Sequence, residues 1–159
     1  IQLPRSKGNI HINISLGKGD NNLGEIIAIL VSIHCLQNLT EFPNDAILFS
    51  DSLLSIGYLT GGWPASTHEP IFKATRKAYR ELTKTRKLRI YWIRGHVDFR
   101  GNETADRLAK RGARRSKKQS QRPIVEIRAP TKSLQATINN QNITKSISKL
   151  VFLNHPATP

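Results

Sequence analysis

The chain has 159 residues, enough for one domain with a real core and little more, and its 25 Lys and Arg against 11 Asp and Glu give a formal net charge of +14. That balance points to a polyanionic partner, nucleic acid foremost, bound through phosphate neutralisation. The single cysteine, Cys35, excludes an intrachain disulfide and a cysteine zinc cluster and fits an intracellular setting, cytoplasm or nucleus. The longest apolar run, around residues 26–33 and interrupted by Ser32, is too short to span a bilayer, so no membrane partner is expected.

Taken in chain order, residues 10–16 alternate isoleucine or leucine with His11, Asn13 and Ser15, which predicts a half-buried strand with Ile10, Ile12, Ile14 and Leu16 on one face. A Gly17-Lys18-Gly19-Asp20 turn follows. Residues 23–37 place Ile26, Ile27, Leu30, Ile33 and His34 at helical spacing, with Asn22 and Glu25 set as a capping box at the start. Ala46-Ile47-Leu48-Phe49 is a short unbroken apolar run, predicting a central strand buried on both faces. A short helix over 53–59 should stop at Thr60-Gly61-Gly62-Trp63-Pro64, with Trp63 packed at a core edge. A second helix is expected over 70–86 and a strand over 88–93. Residues 102–113 read as a helix with Asn102 as N-cap and Ala105, Leu108, Ala109 and Gly112 turned inward.

Strands alternating with helices predict an α/β domain. The expected organisation is an N-terminal remnant over 1–9, the domain over 10–116, and a basic, then polar, flexible tail over 117–159.

Three carboxylates fall at comparable places: Glu25 in a helix's first turn, Asp51 just past a strand, and Asp106 near the start of another helix. Strand ends and helix starts share one edge of an open α/β sheet, where ligands bind. Acids gathered there call for a cation, and magnesium, with manganese as an alternative, takes hard carboxylate oxygens. Two such ions can activate a water and stabilise the leaving oxygen of a phosphodiester. Taken singly, Glu25 reads as a capping partner of Asn22, Asp51 as the cap of the next helix, and Asp106 as favourable first-turn charge.

The run Trp92-Ile93-Arg94-Gly95-His96, followed by Gly101-Asn102-Glu103-Thr104-Ala105-Asp106, resembles the C-terminal signature of the ribonuclease H family. Asn21-Asn22-Leu23-Gly24-Glu25 resembles the family's helix start, and Ser50-Asp51-Ser52 its strand end. The three motifs stand in the family's order. The resemblance implies a ribonuclease H-like mixed sheet flanked by helices, and hydrolysis of the RNA strand of an RNA/DNA hybrid to leave 5′-phosphate and 3′-hydroxyl ends. It implies that Glu25, Asp51 and Asp106 are metal ligands, that His96 assists proton transfer or product release, and that Asn22 meets the minor groove, where 2′-hydroxyls are displayed. Beside such a site, Arg107, Lys110, Arg111 and Arg114 become expected nucleic-acid contacts.

The family also carries an Asp on a first strand ahead of the position of Ile10, and residues 1–9 contain none. The expectation is of a chain lacking one or two N-terminal strands. A catalytically impaired nucleic-acid-binding remnant is the alternative function. The motifs are similar in style to ribonuclease H domains of retroelement reverse transcriptases, which implies a larger polyprotein as a further setting.

Overall fold

The computed structural model describes residues 1–17, 19–39, 45–95, 98–116 and 123–154. It divides into two compact units, one made of Ile1–Lys18 with Asp106–Pro159 and the other of Gly19–Ala105. Among the described residues no helix is long and apolar enough to cross a membrane.

The contiguous unit is built on α1 (Asn21–Asn38), β2 (Asp45–Ser50), α2 (Leu53–Thr60), α3 (Glu69–Thr83) and β3 (Lys87–Trp92). Nine side chains of α1 are buried, from Leu23 to Leu36, so this helix is the centre of the unit's core. It packs on α3, which buries Ile71, Phe72, Thr75 and Leu82. Phe72 meets Tyr58 edge to face at 5.0 Å, and burying a side chain of that size contributes about 1.5–3 kcal/mol. Arg76 lies 3.6 Å from the Tyr58 ring centroid and donates to the Tyr58 and Trp63 carbonyls. Arg76 is thus a clamp on the end of α2. The indole of Trp63 lies against Gly57, although the residue is 45% exposed, so Trp63 packs at an edge as expected.

Three expectations for this unit need correction. The cap of α1 is Asp20, whose carboxylate accepts from the Leu23 amide at 2.9 Å; a box of Asn22 and Glu25 does not form the start because the helix begins two residues before Leu23, not at it. β2 is not buried on both faces. It pairs in parallel with β3 alone among the described strands, and in this two-stranded sheet Ile47, Phe49 and Tyr91 are about half exposed. Along β2 the half-buried Ala46 and Leu48 alternate with the exposed Ile47 and Phe49, the period-two exposure of a one-sided strand. Finally, α4 (Arg100–Ser116) begins before Asn102, which therefore lies in its first turn and is not its cap.

The discontinuous unit contains β1 (His11–Ser15), most of α4, β4 (Ile124–Arg128), α5 (Lys132–Asn140) and α6 (Ile143–Asn154). Residues 1–10 close on themselves: Ile1 and Ile10 exchange two hydrogen bonds of 2.7 Å, and Leu3 and Ile10 are buried. β1 pairs with β4 in antiparallel register, Asn13 opposite Glu126. The inward face of β1 is the reverse of the expected one. Asn13 and Ser15 are buried while Ile12 and Ile14 are half-buried, because the polar face meets α4. There Ser15 Oγ donates to the Gly112 carbonyl at 3.0 Å and Arg115 bonds Asn13. Gly112 is buried as expected, whereas Ala105 and Ala109 are exposed and Leu108 half-buried.

Residues 123–154, expected to be a flexible tail, form β4, α5 and α6. Thr131 caps α5 through the Leu134 amide at 3.1 Å. Ile143, Ile147 and Val151 give α6 a buried stripe at four-residue spacing, and the helix packs on β4 and α5. Enough apolar surface is buried for this segment to offset the cost of ordering it, polar composition notwithstanding. Residues 117–122 and 155–159 lie outside the described residues.

Candidate functional site

β2 and β3 run in parallel, with Ser50 opposite Trp92, so both strands end together. The pairing continues one step further, the Ile93 amide donating to the Ser50 carbonyl at 2.9 Å. At this strand end Ser50 Oγ accepts from the Ser52 amide at 3.1 Å, and Ser52 caps α2 through the Ser55 amide. Since Ser52 is the cap, the Asp51 carboxylate is not engaged in starting that helix. The Asp51 carbonyl accepts from the Trp92 indole at 3.2 Å. Its exposed carboxylate lies beside Gly95, where a Cβ would stand 3.5 Å from Oδ2. Sequence reasoning singled out Gly95 only as part of a motif; its place beside Asp51 was not legible in it. His96, the next residue, lies outside the described residues.

The remaining site residues are placed on helices. Glu25 is half-buried in the second turn of α1 and Asn22 is exposed in the first. Because Asp20 holds the cap, Glu25 is not needed for it. Asp20 is further engaged by His68 Nε2 at 2.9 Å, and this hydrogen bond, with that from the Leu23 amide, holds the Asp20 carboxyl below its ordinary range. Asp106, on the exposed side of α4, pairs with Lys110 at 2.9 Å; the acid of that helix's first turn is Glu103 instead. Arg107, Lys110, Arg111 and Arg114 are all exposed on α4. Arg111 reaches Glu126 of β4 at 3.2 Å. Among the described residues, no group of three or more His, Cys, Asp or Glu side chains could hold a metal ion. The donor types of Glu25, Asp51 and Asp106, all carboxylates, fit magnesium.

A family model described as RNase H matches residues 2–114. The chain belongs to the RNase H family. Among curated proteins it is 33% identical over 117 residues to human "Ribonuclease H1", a match covering 67% of this chain and 40% of that protein. It is 29% identical over 103 residues to a Rhizobium etli "Ribonuclease H", covering 62% of this chain and 68% of that protein. A Pseudomonas fluorescens "Ribonuclease H" is 31% identical over 101 residues, 58% of this chain and 63% of that protein. The chain thus spans well under half of the human relative and about two thirds of the bacterial ones. Membership in the RNase H family and the α/β content agree with the expectation from the three motifs. The family match ends before β4, α5 and α6, so these lie beyond it.

Proposed function

We propose that the chain is an RNA/DNA-hybrid ribonuclease, hydrolysing the RNA strand endonucleolytically to 5′-phosphate and 3′-hydroxyl products. One observation carries this reading: a single RNase H family match runs through all three carboxylate motifs, at Glu25, Asp51 and Asp106. The local structure supports it at Asp51. Its capping role is taken by Ser52, and the glycine beside it leaves its carboxylate uncovered at a strand end. Asn22, exposed at the start of α1, is available for the minor groove of a hybrid, whose 2′-hydroxyls separate RNA from DNA.

Glu25, Asp51 and Asp106 are the residues that would hold magnesium or manganese. The ion's chemistry in such reactions is to lower the pKa of a water and to offset charge on the leaving oxygen. His96 is assigned to proton transfer or product release by its motif alone. The reading extends to a nucleic-acid partner and an intracellular setting, and a reverse-transcriptase polyprotein is the larger assembly in which such a chain would sit.

A second reading has its own support. The formal net charge of +14 favours a polyanionic partner whether or not a strand is cut, so a chain that binds hybrid and cuts it poorly is the alternative. One experiment separates the two. End-labelled hybrid is incubated with the chain, with and without magnesium, alongside Asp51→Asn, and both binding and cutting are followed. The nuclease reading expects metal-dependent cutting that is abolished in Asp51→Asn while binding survives. Cutting without metal, or undiminished in the variant, sinks the nuclease assignment. Binding without cutting by the parent chain selects the second reading.

A further inference from the structure

Glu126 stands on β4 with three guanidinium groups around it. Its Oε1 accepts from Arg128 Nε at 2.9 Å and is ion-paired with Arg111 at 3.2 Å, and its Oε2 accepts from Arg115 at 3.0 Å. The three arginines come from different places: Arg111 and Arg115 from successive turns of α4, and Arg128 from the same strand two residues on. Arg115 is tied down further by Asn13 of β1, the residue directly across the sheet from Glu126. One carboxylate therefore faces three positive charges and leaves two uncompensated.

Such a cluster is unfavourable for the fold unless the carboxylate holds the arginines together, and it is preorganised for an external anion. A guanidinium has five N–H donors. Arg128 meets Glu126 through Nε, which leaves its two terminal nitrogens for another acceptor, and its side chain is 66% exposed. Arg111 is 51% exposed. Glu126 and Arg115, at 24% and 30%, are the shielded members. A fixed pair of exposed, planar forks matches the oxygens of a phosphodiester. It loses less side-chain entropy on binding than free surface arginines would.

We propose that Arg111 and Arg128, positioned by Glu126, form a phosphate-binding patch that takes the sugar–phosphate backbone of a nucleic acid. The proposal rests on the nucleic-acid reading above and extends it to β4, beyond the residues matched by the family model. Contacts of this kind fix orientation and add affinity without reading sequence. Glu126 is a positioning residue: it touches no phosphate and acts by holding the arginines in place.

The test is binding of a fluorescently labelled RNA/DNA hybrid, followed by anisotropy over a salt series. Arg128→Ala should weaken binding several-fold at moderate salt and lower the slope of log affinity against log salt by about 1, the signature of one lost phosphate contact. Glu126→Gln gives the sharper result. It raises the net positive charge by one, so simple attraction to a polyanion would tighten binding; a positioning role instead weakens it, by about threefold or more. The urea midpoint of each variant shows whether the fold is kept, and the exposed Arg128 keeps the question answerable if Glu126→Gln unfolds. A parent chain that binds no hybrid overturns this proposal together with the function above. A parent that binds hybrid, with Arg128→Ala unchanged in affinity and slope or a folded Glu126→Gln binding more tightly, overturns the patch alone.

Discussion

Gly112 of α4 touches the backbone of β1 at Ile14: a Cβ on Gly112 would stand 2.4 Å from the Ile14 carbonyl oxygen and 3.0 Å from its carbonyl carbon. What it would meet is the main chain of a paired strand, which has no rotamer by which to move aside. The same approach brings Ser15 Oγ to the Gly112 carbonyl.

Gly112→Ala is therefore expected to destabilise. Alanine gains up to about 1 kcal/mol in helix propensity, but overpacking against a fixed neighbour typically costs about 1–3 kcal/mol, and here the neighbour cannot yield. A lowered urea midpoint is the expected outcome. A midpoint equal to or above that of the parent would show that helix and strand do not approach so closely.

Acid stability should report on Asp20. Its carboxyl is held below the ordinary value of 3.8, chiefly by the hydrogen bond from His68 and then by the Leu23 amide. A depressed folded-state value means that the unfolded chain binds the proton first as pH falls. The pair's stabilisation is then present above the ordinary carboxylate range and is lost from about pH 5 downward, through the lowered folded value. Asp20→Asn can still cap the helix, so its main effect should be a flatter dependence of the urea midpoint on pH in that window. A profile as steep as the parent's would remove Asp20 from the account.

Cys35 should be silent in the folded protein. It is 1% exposed, and burial pushes its thiol up to about 12. Since the thiolate is the nucleophile, iodoacetamide at pH 8 should leave the native chain unmodified and label it in step with urea unfolding. Native-state labelling at the rate of a free thiol would contradict the packing of α1.

Much of the fold was legible in the sequence because several elements carry strong local signals. The apolar spacing of α1, the Gly61-Gly62 stop after α2 and the β2 and β3 runs all appear within a few residues of where they were expected. Legibility failed where the outcome depends on a distant partner. The polar face of β1 is buried because Gly112 and Arg115 lie about a hundred positions away, and no local pattern reports that. β2 reads as buried on both faces from its composition, yet Ile47 and Phe49 on one of them are about half exposed. The Ser, Thr, Asn and Gln content after Pro123 suggests a tail, yet β4, α5 and α6 form there. Thr131 ahead of Leu134, and Ile143, Ile147 and Val151 at helical spacing, were signals for capped, packed helices.

The candidate site divides in the same way. Asp51 and Gly95 were marked by motif, and their proximity follows from parallel pairing of β2 with β3. Glu126 and Arg128 carried no motif. Their signal was the alternation along Ile124–Arg128, which puts both on the face of β4 shared with Asn13.

The pairing of β1 with β4 also fixes an order of events during synthesis. β1 leaves the ribosome more than a hundred residues ahead of β4, His11 waiting for Arg128. At about 5–20 residues per second that interval is on the order of ten seconds. Gly19–Ala105 is contiguous and can complete its own contacts meanwhile. β1 cannot pair with β4 until the last third of the chain arrives, and the edge that β4 will cover stays open to any neighbouring nascent chain meanwhile.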